Sequence, residues 1–316
     1  MGLKIDRQKS LVPAIDMHGC PLNHFPTLAF TASASDPASR LHWVTEQAEA
    51  VEFSPDPDRL DQLPEMVRPF VRAGLRVRFH TRYFEHELGH ADPVRAGRSL
   101  EAHLRTLRAM DGQGDPVVTV HTGLDPALPV HEPTLMENLA RLVEHGRDLG
   151  IVVCLENLRL GPSSEPANIL HWAETAEAMI TLDVGHALGS EAVRSGRCSA
   201  RGFVELFKNR LHGLHIYGRE DEKGHHPIED IAPFEPLIAS LPWTGCTWWT
   251  IELQNPAHAE ATRRLVRQAL VATNATNATG HDRPAGHQIA PLPHRALVPR
   301  SLSSLTGPVA KQIHGG

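Results

Sequence analysis

Short runs rich in Val, Ile, Leu, Phe and Thr recur eight times along the chain, each followed by a longer amphipathic segment. Runs apolar throughout, rather than alternating, mark strands buried on both faces, and the amphipathic segments between them mark covering helices. The strands are expected at approximately Thr27–Thr31, Ala50–Phe53, Leu75–His80, Val117–His121, Ile151–Glu156, Met179–Asp183, Leu211–Ile216 and Thr247–Glu252. Helices are expected at Ala38–Ala48, Leu60–Ala73, Pro93–Met110, Pro133–Leu149, Asn168–Ala178, Ala200–Lys208, Pro233–Ser240 and Ala257–Ala272. Gly74 and Gly150 fall between a helix and the next strand, where a left-handed cap is needed.

Eight consecutive strand–helix units match the usual size of a closed (β/α)8 barrel, the TIM barrel, and right-handed crossovers close them. An open doubly wound sheet would place a glycine-rich phosphate loop after an early strand, and the sequence has neither GxGxxG nor GxxxxGK[ST]. The expected organisation is an N-terminal extension over 1–26, one barrel over 27–272 and a disordered tail over 273–316, where Pro, Gly, Ser and Ala scatter without periodicity.

The formal net charge of −6 argues against a general affinity for nucleic acid, which needs a basic face. Cys20, Cys154, Cys198 and Cys246 make no CxxC pair, so they read as reduced thiols rather than a zinc knuckle or disulfide framework. No apolar run approaches the roughly 18 residues of a membrane span and the N-terminus lacks a signal-peptide core, so the expectation is a cytoplasmic protein with a small-molecule substrate. The sequence leaves the oligomeric state open.

In such a barrel the C-terminal strand ends form the reactive face. Here strand three ends in RFH at His80, four in VHTG at His121, five in CLEN at Glu156, six in LDVGH at Asp183 and His186, seven in LHIYG at His215 and eight in TIEL at Glu252. A lone strand-end histidine is more often a hydrogen-bonded or surface residue than a ligand. Imidazoles and carboxylates at six successive strand ends are another matter, because these are the donors that Mn²⁺, Mg²⁺, Co²⁺, Fe²⁺ and Zn²⁺ accept. Without a cation, so many carboxylates in one cleft would repel.

The run carrying His80, Tyr83, Leu88, Gly89 and His90, followed by VHTG, CLEN, LDVGHA, LHIYG and TIEL, resembles the xylose isomerase-like barrel superfamily. That superfamily holds sugar isomerases and epimerases, dehydratases and endonuclease IV. The resemblance covers about residues 28–270 and implies a metal held by Glu156, Asp183, His215 and Glu252, with Glu156 and Glu252 as acid and base on either side of a substrate carbon. It further implies roles for His186 and Arg219 at the substrate. The endonuclease IV branch adds metals, which would recruit His80 and His121 beside Glu156, and His186 with an Asp-x-His motif. At that motif this chain aligns Lys223 and His225, so the acidic ligand is missing unless a shifted loop brings in Asp221.

The resemblance therefore implies one to three divalent metals per chain. The first expectation is an isomerase or epimerase of a small sugar, sugar phosphate or polyol ketone. The alternatives are a metallo-phosphodiesterase acting on a small molecule, a class that includes cobamide-remodelling hydrolases resembling this chain at CLENL, LDVGH and LHIYG, and a dehydratase. Tyr83 and Phe84 are read as packing for the loop after strand three, and Trp243, Trp248 and Trp249 as packing near strand eight.

Overall fold

A computed structural model describes residues 25–278. The expected extension up to residue 24, Cys20 within it, and the expected tail beyond Ala278 lie outside the described residues.

The barrel strands are β1 (Thr27–Ser33), β2 (Ala50–Ser54), β3 (Arg76–Thr81), β4 (Val117–Val120), β5 (Val152–Glu156), β6 (Met179–Asp183), β7 (Leu211–Ile216) and, last, β10 (Trp248–Ile251). Between β7 and β10 lies a hairpin of β8 (Arg219–Asp221) and β9 (Gly224–His226). The order β1-β10-β7-β6-β5-β4-β3-β2 closes on itself through parallel pairing of β1 with both β2 and β10.

The covering helices are α1 (Pro37–Gln47), α2 (Leu63–Arg72), α3 (Pro93–Met110), α4 (Glu132–Asp148), α5 (Pro166–Ala176), the short α6 (Val184–Gly189) and α7 (Glu191–Arg194), α8 (Ala200–Phe207), α9 (Glu235–Ser240) and α10 (Pro256–Ala278). Local sequence sets their starts. Asp36 and Asp92 accept hydrogen bonds from the backbone N–H groups of Ser39 and of Val94 and Arg95, and Pro37 and Pro93 follow with φ already helical. Gly74 and Gly150 have φ of +85° and +70°, the left-handed turn expected ahead of β3 and β5. Helix α10 continues past Thr273 to Ala278, into the segment expected to be disordered, because NATNA extends a helix already packed on the barrel.

The apolar core fills the space between strands and helices, with Phe53 of β2 edge-on to Phe70 of α2 and Phe203 edge-on to Phe207 within α8. Inside the barrel the contents are polar. Thr119 of β4 lies 2.9 Å from Thr181 of β6 and donates to Glu52 of β2 at 3.2 Å, while Thr250 of β10 also donates to Glu52. These four strands alternate around the barrel, so their side chains form one transverse layer of the kind that fills such barrels. A register shift between Ile180 and Thr181 brings Asp183 level with His215 on β7.

Candidate metal centre

Directly above that layer the strand ends converge. His80 sits in β3, Glu156 and Asp183 are the last residues of β5 and β6, His215 is next to last in β7, and His121 and Glu252 follow β4 and β10 directly. All six are buried. Glu156 is at their centre and divides its oxygens between two groups. Its Oε2 lies 3.1 Å from His80 Nε2 and 2.9 Å from His121 Nε2. The two imidazole nitrogens are themselves 3.2 Å apart. Its Oε1 lies 3.1 Å from His215 Nδ1, which is 3.2 Å from Glu252 Oε2. Donor atoms of Glu156, Asp183, His215 and Glu252 all fall within 4.8 Å of one another.

This donor set fits a divalent cation, and unsatisfied atoms say where. Glu156 Oε2 and Asp183 Oδ2 are buried with no hydrogen-bond partner, the former despite two histidine nitrogens within 3.1 Å. A buried carboxylate oxygen left unpaired is costly, and a cation among convergent donors removes that cost.

The electrostatics are those of a crowded, dehydrated cluster. Burial alone would raise Glu156 and Glu252, but His215, His121 and His80 around the first and His225 and His215 around the second hold both carboxyls well below the usual range. Asp183 goes the other way: burial and then the charges of Glu156 and Glu252 push it up to about 6, His186 opposing. Burial opposes a charged His215, yet Glu156 and Glu52 raise it well above the ordinary histidine value. For His80 burial wins and the imidazole is lowered.

A third group stands at the rim. Glu220 of β8 faces His225 of β9 across the hairpin, and its oxygens lie 3.4 Å from His186 Nε2 of α6 and 3.8 Å from His225 Nε2. Tyr217 stacks on His225 with centroids 3.8 Å apart and planes 6° apart. The His186 hydrogen bond lowers Glu220 to about 2; reciprocally, against burial, Asp183 and Glu220 hold His186 up at about 10.

Several expectations are corrected here. Lys223 occupies the hairpin turn, and Asp221 is taken up by Arg219 at 2.6 Å and His226 at 2.8 Å, so neither supplies the acid beside His186 and His225. Glu220 does. Its signal in the sequence was the tight turn at Glu222–Gly224, which places residue 220 opposite 225. Arg219, expected at the substrate, pairs with Asp221 with its side chain 64% exposed and does not line the cleft over the centre. Glu52, also missed, accepts from His215 Nε2 at 2.9 Å. Its signal was a lone charge inside the apolar run AVEF of β2.

A cleft of about 220 Å³ opens over the centre, with Glu156, His186 and Glu252 in its floor and Arg82, Arg159 and Phe84 on its walls. Tyr83 packs inward, its hydroxyl 2.8 Å from Thr106 Oγ1, whereas Phe84 is exposed at the rim. Trp248 and Trp249 are buried as packing residues, and Trp243 is exposed. Cys154, Cys198 and Cys246 are free thiols, and no helix among the described residues is long and apolar enough to cross a membrane.

Fold and centre together define a (β/α)8 barrel carrying a histidine–carboxylate cluster on its C-terminal face. The chain belongs to the xylose isomerase-like TIM barrel family, whose profile matches residues 44–271. An uncharacterized protein of Methanocaldococcus jannaschii is 29% identical over 158 residues, which is 50% of this chain and 68% of that protein. Among solved structures, a D-tagatose 3-epimerase-like protein superposes with a TM-score of 0.64 at 18% identity, covering 79% of this chain and 99% of the other. An L-ribulose 3-epimerase gives 0.64 at 15% identity, covering 83% and 100%.

Proposed function

We propose that this barrel is an enzyme whose centre holds more than one divalent cation, and that it hydrolyses a phosphodiester in a small molecule. The carrying observation is the position of Glu156. One of its oxygens is caged between His80 and His121 and the other sits against His215, so the carboxylate bridges two donor groups. The first group is His80, His121 and Glu156; the second is Glu156, Asp183, His215 and Glu252; His186, Glu220 and His225 offer a third. Cations held there supply positive charge to the phosphoryl oxygens and make a water molecule more acidic.

The chain's own residues account for the rest. Arg82 and Arg159 line the cleft beside the centre; Arg159 donates to Glu220 at 2.9 Å, which leaves Arg82 as the guanidinium facing an anionic substrate. Glu156 lies in the cleft floor with imidazoles against both oxygens, which suits it to hold cations on either side. Glu252 keeps Oε1 toward Arg82 at 3.8 Å, on the cleft side, where it can orient a water or take its proton.

The second reading is a metal-dependent isomerase or epimerase of a small sugar. It is favoured by the four-donor set of Glu156, Asp183, His215 and Glu252, and by the fold shared with 3-epimerases. Metal equivalents per chain separate the two, measured on wild type and on His80→Ala/His121→Ala, alongside assays with an activated aryl phosphodiester and with ketohexoses in deuterated water. Two or more equivalents in wild type, one fewer in the variant, and diester cleavage support hydrolysis. One equivalent unaffected by the variant, with deuterium entering a sugar, supports the isomerase and overturns the hydrolase. Assignment of either activity to the metal fails if wild type takes up no cation.

A further inference from the structure

The centre's ligands explain the strand ends, but not why a carboxylate lies one layer deeper. Glu52 is 3% exposed at the middle of β2, in the layer otherwise made by Thr119, Thr181 and Thr250. Such positions ordinarily carry branched apolar or small polar side chains, and burying a carboxylate there is unfavourable unless it is fully bonded. Glu52 is fully bonded. Its Oε1 accepts from Thr119, and its Oε2 accepts from Thr250 and from His215 Nε2 at 2.9 Å.

The last of these contacts connects the layer to the centre. A neutral imidazole has one N–H and one lone pair, and a carboxylate on one ring nitrogen keeps the proton there. With Nε2–H donated to Glu52, the ring nitrogen that would give up its proton to a cation and present the lone pair is Nδ1. That atom lies 3.1 Å from Glu156 Oε1 and 3.2 Å from Glu252 Oε2, among the donors of the second group. The threonines matter too, because they fix the carboxylate and thereby the rotation of the ring. With three donors already on its oxygens, Glu52 is itself poorly disposed to be a ligand, although it lies within 4.8 Å of donor atoms of His80 and His215.

We propose that Glu52 is a positioning residue, holding His215 in the tautomer and orientation that present Nδ1 to the metal centre. The inference rests on the metal-centre reading and adds to it the residue that preorganises its buried imidazole. The polar layer beneath the centre is then an extension of the site into the barrel core.

The test compares full-length wild type, Glu52→Leu and Glu52→Gln, each stripped with chelator and titrated with Zn²⁺ alone against a chromophoric competitor. Nitrogen-15 spectra of the histidines are recorded in the zinc-loaded proteins. Glu52→Leu is expected to bind the same number of equivalents at saturation with affinity weakened by about 10–100-fold, the range for losing a ligand's outer partner. Glu52→Gln, which keeps an acceptor, should fall between it and wild type. The His215 spectrum should show Nε2–H in wild type and a mixture of forms in Glu52→Leu. Zinc affinity in Glu52→Leu within twofold of wild type overturns the role, and so does loss of a whole equivalent, since Glu52 would then be a ligand. If Glu52→Leu does not fold, Glu52→Gln decides: weakening beyond twofold supports the role and less overturns it. Wild type that binds no zinc removes the centre itself, an outcome read before any variant is made.

Discussion

Glu156 has two oxygens and three histidine neighbours, His80, His121 and His215. A bridging carboxylate belongs to both donor groups, so Glu156→Gln should weaken both at once, beyond the ~10–100-fold that loss of an outer partner costs. Competitive zinc titration reads this; loss confined to one equivalent would show that Glu156 serves one site. A different histidine contributes to the loss of stability in acid. His103 is buried under the Tyr83 ring, with centroids 5.1 Å apart, and burial lowers it to about 3. Since the folded value lies below the unfolded one near 6.5, the unfolded chain binds the extra proton, and stability present above pH 6.5 drains away as pH falls toward 3. At pH 5 this one group costs about 2 kcal/mol relative to pH 7. His103→Phe should flatten the stability profile over that interval by a similar amount in denaturant titrations; an unchanged slope would show that His103 is protonated in the fold. At this scale the side chains of the first two donor groups were legible because each stands at the end of an apolar run. Glu52 was not, since a charge within a strand carries no sign of which side chain it will meet across the barrel.

Among elements, the β8–β9 hairpin decides what the rim can do. It turns Glu220 toward His225 and sends Arg219 and Asp221 to pair with each other outside. Glu220→Gln should therefore reduce metal uptake by at most one equivalent and leave the two groups around Glu156 intact, as elemental analysis would check. The hairpin is held against α6 by close packing. A Cβ on Gly185 would come 2.1 Å from Tyr217 Cε2, and Tyr217 is the ring stacked on His225. Gly185→Ala must push that ring aside, at about 1–3 kcal/mol. The expected result is a lower melting temperature and a loss of uptake confined to the rim group; a variant as stable as wild type would mean the ring moves freely. The hairpin was hidden in the sequence because a three-residue strand has no periodicity to detect, and a linear alignment of the acidic motif landed on Lys223.

On the scale of the whole molecule, the described residues gather their buried carboxylates at one end of the barrel. Glu52, Glu156, Asp183 and Glu252 are all buried within a few residues of the strand ends. Cations bound only by the folded chain stabilise it by mass action, about 2.7 kcal/mol at a hundredfold excess over Kd. Adding chelator should lower the melting temperature by about 5–10 °C for a domain of this size, and stoichiometric zinc should restore it. An apo protein that melts with the loaded one would mean that the cluster is satisfied by its own imidazoles.

The sequence by itself determined the eight-unit barrel and the imidazoles and carboxylates that stand at its strand ends. Each of these is written in local pattern: apolar runs of strand length, proline and aspartate at helix starts, glycine before strands, and a polar residue where each run stops. Only the tertiary structure decided that Glu156 is shared between two groups, that Glu220 completes the third, and that Glu52 stands behind His215. Those relations reach as far as the 163 positions between Glu52 and His215. Barrel closure fixes such distances, and local pattern carries no record of them.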